Sequence, residues 1–179
     1  ANGGGFLLSL RQQQIQVNQA VLVELNPHTW SRCVLNIYRN IPEAPSRVRV
    51  LNGAAGQKDG QIKVTLGRGS VGDSIFSDSP IGEVHQLTQY SFATLLAQFP
   101  PESEIHICKI DIEGAEYDLF RNIARTEIRR CKHLIIEIHE MPNESSTILR
   151  EFILDQGYRE TTTRDKMIES NVYIFTRVA

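Results

Sequence analysis

Residues 105–113, IHICKIDIE, constrain the fold more tightly than any other stretch of the chain. The segment is nearly continuous in Ile and Cys, the pattern of a strand covered on both faces. Gly114 then turns the chain into a helix, AEYDLFRNIAR, over 115–125. A second apolar strand, HLIIEI, is predicted at 133–138, followed by an amphipathic helix at 144–156 that ends at Gly157. Strands of this kind, each followed by a helix, build a doubly wound α/β sheet with parallel strands.

The first half repeats the alternation. A glycine turn opens a helix over 3–10, with Phe6, Leu7 and Leu10 on one face. AVLVEL predicts a strand at 20–25, ended by Asn26-Pro27. A helix follows over 29–40, with Trp30, Cys33, Val34, Ile37 and Tyr38 at helical spacing, and Pro42 and Pro45 lead into a strand at 47–51. Gly53 and Gly56 mark a loop, and GQIKVTL at 60–66 alternates as a half-exposed strand does. Residues 67–82 are rich in Gly, Ser and Asp and read as a long loop, often a functional feature in a compact domain. A short strand near 83–88 precedes a helix at 91–98 that Ser91 is placed to cap. After the last helix, YRETTT and NVYIFTRV are strands about ten residues apart, too close for a parallel crossover, so they pair as a hairpin. A parallel sheet closed by an antiparallel C-terminal strand is the usual shape of class I (Rossmann-like) methyltransferases.

Bulk properties narrow the partners. A chain of 179 residues suits a single domain over 1–179 with one sizeable core. Net charge is −2, so no basic field points to nucleic acid or an anionic membrane as a partner. No apolar run reaches the roughly 18 residues of a membrane span. Cys33, Cys108 and Cys131 match no zinc pattern or disulfide framework, and Cys108 and Cys131 sit in apolar runs as core residues. A reducing, cytoplasmic setting is the expectation.

Two groups of residues carry chemistry. A sulfonium cofactor with an adenosine tail needs close backbone approach, a carboxylate for the ribose and an apolar slot for adenine. Gly3, Gly4 and Gly5 permit the approach. Glu24 ends the next strand, 19 positions after Gly5, the spacing of a nucleotide-binding turn and its ribose acid. The competing readings are a plain loop and a solvated strand-end charge. A nicotinamide enzyme is disfavoured because the GxGxxG fingerprint is absent. Asp111 and Glu113 leave the carboxyl end of the 105–113 strand, where open α/β sheets bind ligands. Their competing reading is stabilisation of the following helix through its dipole.

KIDIEGAE resembles the Lys-x-Asp-x-Glu-Gly-x-Glu signature of FkbM-type methyltransferases, matched at Lys109, Asp111, Glu113, Gly114 and Glu116. ANGGGF resembles the end of that family's first motif, VELNPHTW its Glu-Pro motif, NGAAG its Asn-x-Ala-x-Gly segment, and LIIEIHE the strand after the signature helix. The chain departs from the pattern where Asn26 stands between Glu24-Leu25 and Pro27. No strand precedes ANGGGF, so the resemblance implies that the native polypeptide starts earlier and that the sheet's first strand lies there.

The resemblance implies methyl transfer from S-adenosylmethionine to a hydroxyl of a small-molecule acceptor, a sugar or secondary metabolite. It places Asn2, Gly3, Gly4, Gly5, Glu24, Asn26, Asn52, Ala54 and Asp111 at the cofactor. A general base for the hydroxyl comes from Asp111, Glu113, Glu137 or His139, with Asp111, Glu113 and His139 as the catalytic set. Asp111, Glu113 and His139 can also be read as metal ligands, but nothing in the spacing demands a metal, and none is expected. The alternative is a non-catalytic nucleotide-binding or scaffold module with the same fold.

Overall fold

A computed structural model of the chain describes residues 1–66, 82–162 and 171–178. The predicted loop at 67–82, apart from its last residue, and the turn of the C-terminal hairpin lie outside the described residues. The chain divides into two compact units, Ala1–Tyr90 and Ser91–Ala179.

The first unit opens with α1 (Gly5–Gln12), β1 (Ala20–Glu24) and α2 (Pro27–Asn40). Asn26 sets where α2 begins: its side chain accepts from the backbone of His28 and Thr29, and Pro27 occupies the first turn. Proline has no N–H, and at this position an N–H would be an orphan anyway; the cap moves the start upstream of the expected residue 29. The short α3 (Ala44–Arg47) leads into β2 (Val48–Asn52), which runs parallel to β1 in register Ala20↔Val48 to Glu24↔Asn52. The helix between them packs on this pair. Cys33 and Ile37 of α2 are buried with Leu7, Ile41, Ala44 and Val48, and Leu22 and Val50 pack against them. Of the predicted α1 face, Leu7 is buried and Phe6 is exposed. Burial also pushes the Cys33 thiol pKa up, which keeps it a protonated core residue.

A three-stranded sheet, order β3-β5-β4, completes the unit with β3 (Ala54–Gly56), β4 (Gly60–Leu66) and β5 (Glu83–Ser91). β4 and β5 are antiparallel and bury Val64, Leu66 and Leu87 with help from Leu25 and Ile62. The segment at 53–56, expected as a loop, is therefore partly strand. Gly53 makes the approach feasible: a Cβ there would lie 2.3 Å from the Thr88 carbonyl oxygen of β5.

The second unit contains α4 (Phe92–Leu96), β6 (Ile105–Ile110), α5 (Glu116–Phe120), α6 (Arg125–Ile128), β7 (Cys131–Glu137), α7 (Ser146–Asp155), β8 (Tyr158–Glu160) and β9 (Val172–Arg177). Ser91 caps α4 by accepting from Thr94, as expected. Its strands form a mixed sheet in the order β6-β7-β9-β8. β6 and β7 are parallel, while β9 is antiparallel to both β7 and β8. The expected antiparallel closure is present. Tyr158 ties the hairpin to the core, its hydroxyl donating to the carbonyls of Ile128 and Cys131. The Cys131 thiol is held protonated by its hydrogen bond with Cys108 and by burial. Among the described residues no helix is long and apolar enough to cross a membrane.

Two expectations for this unit are corrected. The strand at 105–113 was expected to be covered on both faces and to reach Glu113. β6 stops at Ile110, and His106 and Lys109 are exposed, as an edge strand of its sheet permits. It stops because the backbone N–H groups of Ile112 and Gly114 donate to the Glu116 carboxylate and not to a neighbouring strand. The single helix expected over 115–125 is two short helices. Glu127 accepts from the backbone N–H of Ala124 at 3.0 Å, which starts α6 as a separate helix.

Candidate active site

The KIDIEGAE segment passes from β6 into α5 through a sharp turn. Glu113 and Gly114 both take left-handed conformations, φ 55° and 98°. Gly114 is required there by φ, and a Cβ would also sit 2.5 Å from Met141 Sδ. Glu113 has no such licence, so its conformation is sustained by its surroundings.

Glu116 supplies that support. Its side chain is fully buried, and its two oxygens accept from the N–H groups of Ile112 and Gly114, each at 3.0 Å. A carboxyl group removed from water and given two backbone donors is a satisfied buried polar group. The same Glu116 Oε1 lies 3.1 Å from Nδ1 of His139. His139 follows the buried Ile138 just beyond β7, and its carbonyl accepts from the Tyr117 hydroxyl at 2.9 Å. One imidazole nitrogen is thus fixed from beneath by α5, and the main chain is fixed by the next residue of the same helix.

The other nitrogen faces acids. His139 Nε2 lies 3.2 Å from Glu113 Oε2 and 3.9 Å from Glu137 Oε1. Asp111 completes the group, with its Oδ2 paired to Lys109 Nζ at 2.7 Å. One ligand-type atom from each of Asp111, Glu113 and His139 can be chosen so that all lie within 4.8 Å of one another. The three residues expected as the catalytic set are therefore brought together within one unit. Sequence spacing asked for no metal, yet the donor set is one that could hold a cation. Both ring nitrogens of His139 thus face carboxylates, Nδ1 the buried Glu116 and Nε2 the partly exposed Glu113.

Glu116 was not among the expected site residues. Its signal was present as the last acid of KIDIEGAE, but an acid in the first turn of a helix reads by default as a dipole partner.

In the first unit, Glu24 is buried at 9% exposure, not a solvated strand-end charge. Its Oε1 accepts from Asn26 N at 2.9 Å, and its Oε2 from Asn2 N at 2.5 Å. The glycine turn and the acid are thus adjacent, as their spacing implied. Gly4 caps α1 in the left-handed region, and a Cβ added at Gly5 would meet no atom within 4 Å. Asn26, expected at the cofactor, is 1% exposed, and its side-chain oxygen caps α2. Asn52 donates to the carbonyls of Glu24 and Leu25, which fixes the end of β1. Ala54 is buried in β3. Of this group, Glu24 and the turn at residues 2–5 offer polar groups at the end of β1.

A comparison with curated protein sequences finds no match. Among solved structures the chain resembles a crystal structure of methyltransferase FkbM from Methylobacillus flagellatus KT, with a TM-score of 0.62 and 15% identity. The likeness covers 97% of this chain and 41% of that one, so this chain spans less than half of that protein's length. At that identity the likeness is one of fold, a mixed α/β architecture. The methyltransferase FkbM domain profile matches residues 17–160, from before β1 through β8. The chain belongs to the FkbM methyltransferase family.

Proposed function

We propose that this protein transfers a methyl group from S-adenosylmethionine to a hydroxyl oxygen of a small acceptor, a sugar or secondary metabolite. When bound, the cofactor supplies an electrophilic methyl on a sulfonium. The turn at Asn2–Gly5 and Glu24 serve the cofactor, Glu24 as the acceptor of ribose hydroxyl hydrogen bonds. A hydrogen bond to a charged group contributes about 1.5–3 kcal/mol.

The observation that carries the reading is the clamp on His139. In-line displacement needs alignment above all, and a hydroxyl nucleophile also needs a proton acceptor. Glu116 holds Nδ1 at 3.1 Å and Glu113 lies 3.2 Å from Nε2. The His139–Glu113 pair would take the proton of the acceptor hydroxyl, and the flanking carboxylates would stabilise the charge on the ring.

Thermal shift tests the reading: S-adenosylhomocysteine is expected to raise the unfolding temperature, since a ligand of the native state stabilises it. Nicotinamide dinucleotides are expected to have no effect. Stabilisation by a nicotinamide dinucleotide alone would point to a different cofactor class. Asp111→Asn, which keeps shape and removes charge, is expected to retain S-adenosylhomocysteine and slow transfer. Transfer at the parent rate would leave Asp111 as support for the helix.

A further inference from the structure

Four carboxylates and one ammonium surround a single imidazole at the end of β6. Glu113 and Glu137 face Nε2 of His139, Glu116 faces Nδ1, and Asp111 sits beside them with Lys109 as its counter-ion.

From this arrangement we infer a binding site for one divalent transition-metal ion, held by Asp111, Glu113 and His139 Nε2. The donor set, one imidazole nitrogen with two carboxylate oxygens, suits Mn²⁺, Fe²⁺ or Zn²⁺ better than Mg²⁺ or Ca²⁺, which prefer all-oxygen shells. Distance permits it with modest movement. The three ligand atoms lie within 4.8 Å of one another. Bonds of about 2.0–2.2 Å to one ion place neighbouring ligand atoms about 3.0–3.6 Å apart, so closing the site asks for a contraction of up to about 1.5 Å. All three side chains are partly exposed, so that contraction needs only rotamer adjustment.

Glu116 is the independent feature. A wholly buried carboxylate on the remote nitrogen of a histidine is the outer-shell partner that fixes the ring and its tautomer for a metal at the other nitrogen. It rests on its own backbone donors, the N–H groups of Ile112 and Gly114. Three protein ligands leave coordination positions open to water or a substrate oxygen. Ion and proton compete for Nε2, so in the loaded form an acceptor hydroxyl meets the cation, whose Lewis acidity makes it more acidic.

The inference concerns the same side chains as the methyl-transfer reading but does not rest on it. Retention of S-adenosylhomocysteine tests that reading, and metal binding without any nucleotide tests this one. The experiment titrates the full, chelator-treated chain with Mn²⁺, following loss of the free-ion electron paramagnetic resonance signal. One saturable Mn²⁺ per chain is expected, competed only weakly by Mg²⁺. Glu113→Gln and His139→Gln should each weaken it tenfold or more, on the order of losing one ligand. His106 and His133 form a second imidazole pair, with ring centroids 5.2 Å apart. His106→Gln controls for it and should leave Mn²⁺ affinity unchanged. Because Glu113→Gln keeps size and shape, and circular dichroism reports its fold, it decides the matter if a histidine variant fails to fold. No saturable binding by the parent chain would overturn the inference. So would equal affinity in the parent and Glu113→Gln, or loss of binding in His106→Gln alone.

Discussion

Glu116 Oε1 lies 3.1 Å from His139 Nδ1, and the carboxylate that makes this contact has no exposed surface. It also holds two backbone N–H groups, so one side chain shapes the turn and orients the imidazole. Glu116→Ala would strand both donors, with the Gly114 N–H buried. Leaving such donors unpaired costs about 1–3 kcal/mol each, so a loss of about 2–6 kcal/mol is expected from urea unfolding. Glu116→Gln keeps one acceptor and should cost less than half as much. Equal losses would mean that the cavity, not the missing hydrogen bonds, sets the cost.

Glu24 is engaged by two backbone donors, Asn2 N and Asn26 N, which makes it both a structural and a ligand-binding candidate. Glu24→Ala is expected to weaken S-adenosylhomocysteine binding by about 1.5–3 kcal/mol, roughly 10- to 150-fold. Calorimetry on folded protein measures this apart from stability. Lower stability with unchanged affinity would leave Glu24 as the organiser of the turn alone and assign the ribose to another acid.

Tyr117 links the helix to the main chain of His139 through a 2.9 Å hydrogen bond. Burial pushes its phenol pKa up, and the neighbouring carboxylates Glu116, Glu144 and Glu140 push the same way. The sign follows from linkage: the unfolded chain ionises first, so the contribution is complete below about pH 10 and is lost as pH rises through the higher folded value. Tyr117→Phe should cost about 0.5–1.5 kcal/mol at neutral pH, one hydrogen bond. It should also remove part of the alkaline loss of stability above about pH 10. Denaturant midpoints of parent and variant at neutral and alkaline pH should therefore converge. A constant gap across that range would show that ionisation of Tyr117 is not coupled to folding.

Local chemistry made much of this legible. Asn26-Pro27 marks the end of the first strand, Ser91 caps α4, and the short spacing of the last strands allows only an antiparallel pair. The segments that escaped depend on partners distant in sequence. Residues 54–56 become a strand only because β5 lies alongside. The end of β6 at Ile110 depends on a carboxylate that takes the next backbone donors. Asp111, Glu113 and His139 were visible as acids and a histidine at strand ends. That Glu116 holds one of them, 23 positions along the chain, is a fact of tertiary closure. No helical period contains it.

Gly114 allows a last prediction that separates two causes of one effect. Any other residue there meets a left-handed backbone, φ 98°, and a Cβ placed 2.5 Å from Met141 Sδ. The first cost is inescapable, about 1–2 kcal/mol for an L-residue in that region. The second is soft, because the obstructing atom belongs to an unbranched thioether with three rotatable bonds, which can swing aside. The backbone should therefore dominate. Gly114→Ala is expected to lower stability by about 1–3 kcal/mol, most of it conformational. The turn carries Glu113, so the same variant should also weaken Mn²⁺ binding. Pairing it with Met141→Ala removes the steric part and leaves the backbone part. In a double-mutant cycle the rescue by Met141→Ala should be less than half of the loss, and Mn²⁺ affinity should stay low. Full recovery of both would show that crowding by Met141, not the left-handed turn, is what requires glycine at this position.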